Sequence, residues 1–152
     1  MDKIESFYEQ GTDDVRPDLF NEVAEKIAKS FATVEKYETD RGTKENRSGI
    51  TSTQLRRLFD EVKRYETLID DDSPESWKEQ YPYIKMIRAK TRYTVARAKR
   101  RDAKNAKYYD NLSLFISEGI GLIQKAKDYH VFVSLFEAVY GFYYENRPDL
   151  KN

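Results

Sequence analysis

The sequence predicts an all-α protein, a compact bundle of about five or six helices. Apolar residues recur at spacings of three and four along most of the chain, and no segment alternates between apolar and polar residues over a useful length. Hydrophobic residues make up 39% and charged residues 36% of the 152-residue chain, which favours a modest core under a large solvated surface. We therefore expect one helical domain over residues 1–152.

Two helices separated by a polar loop are predicted in the first half of the chain. Pro17 is suited to the first turn of a helix, and apolar residues recur over residues 20–34. Residues 36–49 are polar, contain two glycines and show no apolar period, which is typical of a loop. Thr51 or Ser52 then caps an amphipathic helix. Its apolar face is formed by Leu55, Leu58, Phe59, Val62, Tyr65 and Ile69.

Four more helices are predicted in the second half of the chain. Pro74 opens a short helix, and Pro82 breaks it, because the residue before a proline is pushed out of helical geometry. A long helix follows, and two further helices carry apolar faces over residues 112–123 and 132–143. The long helix has a narrow inner stripe formed by Ile84, Ile87, Thr91, Val95 and Ala98.

Charge is sorted by segment, although 27 Lys and Arg balance 27 Asp and Glu. Residues 2–25 hold eight acids and two bases, whereas ten basic residues lie between Lys85 and Lys107 with a single acid, Asp102. A dense basic face on a neutral protein is the usual footprint of a polyphosphate partner. A solvated face, or one neutralised by the acidic N-terminal segment, is the simpler alternative and stays open.

The basic residues form rows along the long helix at 100° per residue. Lys90, Arg97 and Lys104 lie seven residues apart on its outer surface, so successive members are about 10 Å apart. A chain of phosphates can run along such a row. A second row on the opposite flank of the apolar stripe consists of Lys85, Arg92 and Lys99. Stacking platforms for single-stranded nucleic acid are offered by Tyr93, Tyr108 and Tyr109.

Catalytic chemistry is not indicated by the sequence. The absence of Cys excludes disulfides, zinc–thiolate sites and thiol catalysis. The single histidine, His130, has no second His or Cys at ligand spacing, so a capping or core role is favoured over catalysis. Asp70 to Asp72 are interpreted as a solvated helix cap, and a metal-dependent enzyme that uses them is the weakest alternative. We expect a soluble cytoplasmic protein with no cofactor and no metal.

Three motifs resemble those of the small subunit of type III-A CRISPR effector (Csm) complexes. Residues 50–62, ITSTQLRRLFDEV, are similar to the family's Thr-x-x-Gln-Leu-Arg core followed by an aromatic and an acidic pair. Residues 90–97, KTRYTVAR, resemble its basic Lys-x-x-Tyr-x-x-Ala-Arg helix. Residues 132–143, FVSLFEAVYGFY, are similar to its C-terminal helix. The resemblance covers about residues 50–146.

The resemblance implies a non-catalytic subunit of an antiviral ribonucleoprotein. Such subunits stack head to tail in the inner filament, beside the backbone and large subunits, and hold the target RNA as it pairs with the guide RNA. The free protein is then expected as a monomer or a homodimer. The family's basic motif positions correspond to Arg56, Lys90 and Arg97. Helix geometry adds Arg57, Arg88, Arg100, Arg101 and Lys104 as candidate RNA-binding residues.

A second hypothesis is a helical protein–protein adaptor whose basic helix docks on an acidic partner or on the chain's own acidic N-terminal segment. The two hypotheses differ in their response to salt. Binding of single-stranded RNA should weaken with salt, with a log–log slope of about −0.7 per phosphate contact. An adaptor should bind protein in the absence of RNA.

Overall fold

The computed structural model describes residues 3–150 and is mainly helical, with one small antiparallel sheet. The prediction of an all-α fold is therefore correct for the helices and wrong for one hairpin. A π-helical turn at Leu19–Val23 leads into the first helix, and a 3₁₀ turn at Ala103–Asn105 precedes the fourth. The helices are α1 (Ala24–Lys29), α2 (Ser52–Thr67), α3 (Pro74–Arg101), α4 (Ala106–Gly121) and α5 (Ala126–Tyr144). The strands are β1 (Ala32–Thr39) and β2 (Gly42–Gly49).

The two strands form a hairpin over the residues that the sequence assigned to a loop. Their register runs from Ala32 opposite Gly49 to Thr39 opposite Gly42. The prediction of a loop at residues 36–49 was wrong because the outer half of the hairpin is exposed on both faces, so no apolar alternation marks it. Backbone hydrogen bonds between the strands, and not burial, hold that half together.

The base of the hairpin is anchored in the core. Phe31 and Ile50 are fully buried, and the Ile50 amide donates to the Phe31 carbonyl oxygen over 2.9 Å. Gly49 has a φ of +144°, and a Cβ at this position would lie 2.4 Å from the Phe31 oxygen, so only glycine fits. The Gly49 amide also donates to Asn105 Oδ1 over 3.0 Å, which ties the hairpin to the turn before α4.

The first helix is shorter than predicted, whereas the start of α2 is confirmed. Helical structure begins at Leu19, two residues beyond Pro17, and ends at Lys29. Ser30 Oγ then donates to the Ile27 carbonyl, and the chain enters β1 at Ala32. Phe20 is 40% exposed and does not belong to the inner face. Thr51 is the N-cap of α2, since its hydroxyl accepts from a backbone amide of the first turn.

Helix α3 is continuous through Pro82, so the predicted break at this residue is wrong. Pro82 is exposed, as is Lys78, whose carbonyl loses its helical partner, and water can therefore solvate the freed group. Side chains on the buried side hold the helix across the proline. The Trp77 and Tyr81 ring centroids are 4.9 Å apart, and Tyr81 Oη donates to the Ile123 carbonyl over 2.9 Å.

The centre of the core is the contact between α4 and α5. Phe132 and Phe136 of α5 are fully buried, and their ring centroids lie 5.6 Å and 5.4 Å from that of Phe115 of α4. Gly119 leaves room for the Phe132 ring against α4, since a Cβ there would lie 2.2 Å from Phe132 Cε1. The apolar faces predicted for these two helices are confirmed.

Two buried tyrosines of α5 hold both ends of α2. Tyr129 Oη donates to the Val62 carbonyl over 2.5 Å, and Tyr143 Oη donates to the Ile50 carbonyl just before the helix. Burial raises the pKa of both tyrosines, so both hydroxyls stay protonated and remain donors. The position of α2 therefore depends on α5.

His130 lies in the first turns of α5 and joins it to the end of α2. Its Nδ1 is 3.0 Å from Glu66 Oε2, and its Nε2 is 2.9 Å from Asp71 Oδ1. Burial on its own lowers the pKa of His130, but the hydrogen bonds to the two carboxylates and their charges outweigh it and raise the pKa. His130 is neither the cap of α5, which is Lys125, nor a core residue, since its side chain is 33% exposed.

No group of three His, Cys, Asp or Glu side chains within residues 3–150 is arranged to hold a metal ion. Asp70 Oδ1 accepts from the Asp72 amide over 2.9 Å, as in a turn before a helix, while Asp71 contacts His130. None of the helices in the same range is long and apolar enough to span a membrane.

We predict that Gly119→Ala destabilises the protein although alanine favours helix. Overpacking against the Phe132 ring should cost about 1–3 kcal/mol, more than the gain of about 1 kcal/mol in helix propensity. Gly121→Ala, in the same helix with no atom near the added methyl group, should leave stability unchanged or raise it. Urea unfolding of both variants tests this, and equal stability would contradict the close contact of the Phe132 ring with Gly119.

We also predict that His130 makes stability pH-dependent near neutrality. Its folded-state pKa is raised above the unfolded value of about 6.5, so its stabilising effect is complete below that pH and is lost as pH rises through the folded-state pKa. The free energy of unfolding of the wild type should therefore fall as pH rises from about 6.5 through the raised folded-state pKa. His130→Gln should reduce that fall, and an identical pH profile in the variant would contradict the contribution of the ion pairs.

Candidate nucleic-acid interface

Helix α3 packs along α4 through the inner stripe that the sequence predicted. All five residues of the stripe are buried. The only polar one is satisfied, since Thr91 Oγ1 donates to the Ile87 carbonyl over 2.8 Å. Because the stripe is narrow, most of the basic side chains of α3 lie on its exposed surface, together with Tyr83, Met86 and Tyr93.

The second basic row faces α4 and is partly engaged within the fold. Lys85 Nζ donates to the Ile120 carbonyl over 3.0 Å, and Lys99 Nζ donates to Asp110 Oδ1 over 2.7 Å. Arg92 is exposed. Two of the three residues of this row therefore help to fasten α3 to α4.

The opposite flank of α3 forms one wall of a groove of about 270 Å³. We call it the α2–α3 groove. Helix α2 forms the other wall, and α4 contributes two buried residues, Tyr109 and Leu112. The lining residues of the two walls are Gln54, Arg57, Leu58 and Glu61 from α2 and Lys90, Thr91, Tyr93, Thr94, Val95, Arg97 and Arg101 from α3.

Lys90 crosses the groove at the end nearest the α2–α3 turn. Its Nζ donates to Glu61 Oε1 over 2.9 Å and to Tyr65 Oη over 3.4 Å. The hydrogen bond to Glu61 is the main reason that the pKa of Lys90 is raised, so the lysine is fully charged at neutral pH. This bridge sets the spacing of the two helices at one end of the groove.

The other three cations of the groove have no carboxylate partner. Arg57, Arg97 and Arg101 are exposed and make no ion pair or hydrogen bond within the described part of the chain. Arg97 lies against Tyr93, with its guanidinium 5.6 Å from the ring centroid. The groove therefore carries four cations and one carboxylate, Glu61.

Gln54 lines the same groove with an unsatisfied polar atom. Its Oε1 is buried and has no hydrogen-bond partner, and no other buried side-chain N or O of residues 3–150 shares that state. A buried polar atom without a partner is costly, and native proteins contain few of them. The sequence did not single out Gln54 as a site residue. The signal was its spacing from Leu58 and Glu61, which places it on the same face of α2.

The structure brings together four of the eight predicted RNA-binding residues, Arg57, Lys90, Arg97 and Arg101. The other four lie outside the groove. Arg56 is 3.9 Å from Asp60, one turn further along α2, and Arg88 Nε is 3.3 Å from Ser117 Oγ of α4. The remaining two, both exposed, are Arg100 of α3 and Lys104 of the following 3₁₀ turn.

The predicted row of Lys90, Arg97 and Lys104 is interrupted because α3 ends at Arg101. Of the three tyrosines proposed as stacking platforms, only Tyr93 is exposed, at 65%. Tyr108 is buried and its Oη is 2.6 Å from Thr33 Oγ1, and Tyr109 is buried beneath the groove. The prediction of exposed platforms at these two positions was wrong.

The acidic N-terminal segment does not neutralise the groove within the described residues. Its contacts are with α4, α5 and itself. Asp13 Oδ1 is 3.3 Å from Lys125 Nζ, and Asp18 is paired with Arg16. Tyr8 Oη donates to Asp128 Oδ1 over 2.5 Å, which fixes the segment at the start of α5.

The fold and the groove define a small, mainly helical protein with a cationic cleft between two antiparallel helices. The chain matches the family model of Csm2 Type III-A over residues 14–146 and belongs to that family, as the three motifs indicated. It is therefore a subunit of a type III-A CRISPR effector complex. Neither the curated proteins nor the solved structures contain a significant match.

We predict that Gln54→Met stabilises the free protein. Methionine keeps the length of the side chain and removes the unsatisfied oxygen, whose burial costs about 1–3 kcal/mol. The free energy of unfolding, measured with urea, should rise by about 1 kcal/mol. Gln124→Met at an exposed position is the matched control and should change it by less than about 0.5 kcal/mol. A loss of stability in Gln54→Met would contradict the unsatisfied state of the amide.

Proposed function

We propose that this chain is a non-catalytic small subunit that holds the RNA backbone in a type III-A CRISPR effector complex. The observation that carries the proposal is the cationic α2–α3 groove on a chain whose formal net charge is +0. The ligands are the target RNA and its duplex with the guide RNA. The complex acts in antiviral defence in the cytoplasm.

Phosphate is the chemistry that suits the three unpaired arginines of the groove. A guanidinium donates in a planar fork that matches phosphate oxygens, and neutralisation of phosphates releases counterions, which drives association. Arg57, Arg97 and Arg101 form no ion pair in the described chain, so RNA need not displace a protein carboxylate from them. These contacts read no sequence, as suits a complex in which base pairing supplies specificity.

The eight basic residues form an interface with a centre and a margin. From Lys90 to Arg101 the groove extends about 16 Å along α3, enough for several phosphates. Arg56, Arg88, Arg100 and Lys104 lie outside the groove, and we assign them to phosphates at its margin. The chain stacks with copies of itself in the inner filament, beside the backbone and large subunits.

We predict that reversal of the groove charges abolishes salt-sensitive RNA binding. Fluorescence anisotropy with a labelled single-stranded RNA of about 30 nucleotides would be recorded for the wild type and for Arg57→Glu/Arg97→Glu/Arg101→Glu across salt concentrations. Loss of three phosphate contacts should reduce the magnitude of the log–log salt slope by about two and weaken binding at all salt concentrations.

The matched control is Lys36→Glu/Arg41→Glu/Lys44→Glu, which makes the same change in net charge on the exposed hairpin. It should bind RNA nearly as well as the wild type, and circular dichroism should show unchanged helicity in both variants. Equal losses of RNA affinity in both variants would show that net charge, and not the groove, accounts for the effect. Because the groove lies within one chain, failure of the wild type to bind any RNA would contradict the proposal and favour the adaptor hypothesis.

A further inference from the structure

We propose that the α2–α3 groove receives one unpaired nucleobase of the bound RNA and that Gln54 Oε1 accepts a hydrogen bond from a base N–H. The inference rests on the proposed function, because the arginines around the groove would hold the phosphates on either side of that nucleotide. It adds a contact to the base itself, which backbone binding does not require.

The first argument is the hydrogen-bonding character of Gln54 Oε1. This oxygen is buried and unpartnered, it can only accept, and a base reaches it once the Gln54 side chain turns into the groove. A phosphate oxygen also only accepts, so the ligand that satisfies the arginines cannot satisfy Gln54. Each of the four RNA bases carries at least one N–H donor at its edge. A base therefore supplies what the groove lacks, without a strict requirement for one base type.

The second argument is the shape and lining of the groove. Its volume of about 270 Å³ is just below the range of about 300–1,000 Å³ typical of sites for drug-sized ligands, as suits a single smaller ring system. Leu58, Val95 and Leu112 provide apolar contacts, and the buried ring of Tyr109 lies beneath. An aromatic ring with a polar edge matches this lining better than a charged phosphate does.

The third argument is the arrangement at the mouth of the groove. The Tyr93 ring is 65% exposed, and the Arg97 guanidinium lies 5.6 Å from its centroid. Unstacked RNA bases are commonly held against aromatic rings and guanidinium planes. The groove therefore offers stacking at its rim, a hydrogen-bond acceptor on the Gln54 side chain in its wall and cations for the flanking phosphates.

The ribose 2′-hydroxyl is the other donor that RNA carries. It lies on the backbone, so a strand along the rim would present it to the exposed arginines and not to a buried oxygen. We therefore assign the donor to the base. The two sources can be separated with oligonucleotides that lack one or the other.

The test measures binding of three labelled oligomers of about 12 nucleotides by anisotropy: oligouridine, the same ribose–phosphate chain without bases, and oligodeoxyuridine. The proteins are the wild type, Gln54→Met and Gln124→Met. The wild type should bind oligouridine about tenfold more tightly than the abasic chain, and oligodeoxyuridine should keep most of that advantage. Gln54→Met should lose the advantage while its affinity for the abasic chain stays unchanged, and Gln124→Met should behave as the wild type.

The outcomes distinguish the inference from the proposed function. Equal wild-type affinity for oligouridine and the abasic chain, with strong salt dependence, would overturn the inference and leave backbone binding intact. An advantage that disappears with oligodeoxyuridine would transfer the contact to the ribose and also overturn it. If Gln124→Met lost the affinity advantage for oligouridine to the same extent, the effect would not be due to a contact with Gln54. The absence of binding to all three oligomers would reject both proposals. Urea unfolding of Gln54→Met excludes loss of fold as the cause.

Discussion

The close contact between Gly119 and the ring of Phe132 is the constraint on which the rest of the structure depends. It leaves room for the Phe132 ring to lie against the backbone of α4 and beside the ring of Phe115, and α5 in turn holds α2 through Tyr129 Oη. Helix α3 lies along α4, so the distance between α2 and α3 depends on this contact as well as on the Lys90–Glu61 bridge. The α2–α3 groove is thus a consequence of core packing, and its three exposed arginines are free to serve binding instead of stability.

Segregation of charge keeps the groove cationic on a neutral chain. In the N-terminal segment Asp13 pairs with Lys125 just before α5, and Asp18 pairs with Arg16. The acids that pair with Lys90 and Lys99 of α3 lie at the end of the groove and on the other flank. Among the described residues, only Lys90 of the groove cations is paired with a carboxylate. A local positive potential of this kind speeds association with a polyanion and is lost as salt screens it.

The sequence predicted the helices well where burial imposes a period, and it failed where burial does not. The stripe from Ile84 to Ala98 and the cap at Thr51 follow from spacing and side-chain chemistry. The hairpin carries no apolar alternation because its outer half is solvated on both faces. Pro82 did not break α3, because a local preference at an exposed position is weaker than the anchoring of Trp77 and Tyr81 on the buried side. Tertiary contacts decided these cases, and single-chain patterns do not contain them.

The same limit applies to the candidate site. Basic residues could be grouped by helical angle on α3 from the sequence. Which of them line the groove depends on how α2 and α3 pack, so four of the eight candidates lie in the groove and four lie outside it. Reasoning from charge could not identify Gln54, because this residue stands out only through the missing hydrogen bond of its Oε1 in the folded chain. An atom that reduces the stability of the free chain, and that a bound base can satisfy, would convert this local cost into affinity for the ligand. Such a compromise between folding and binding is expected at a functional site and not in a helix that serves packing alone.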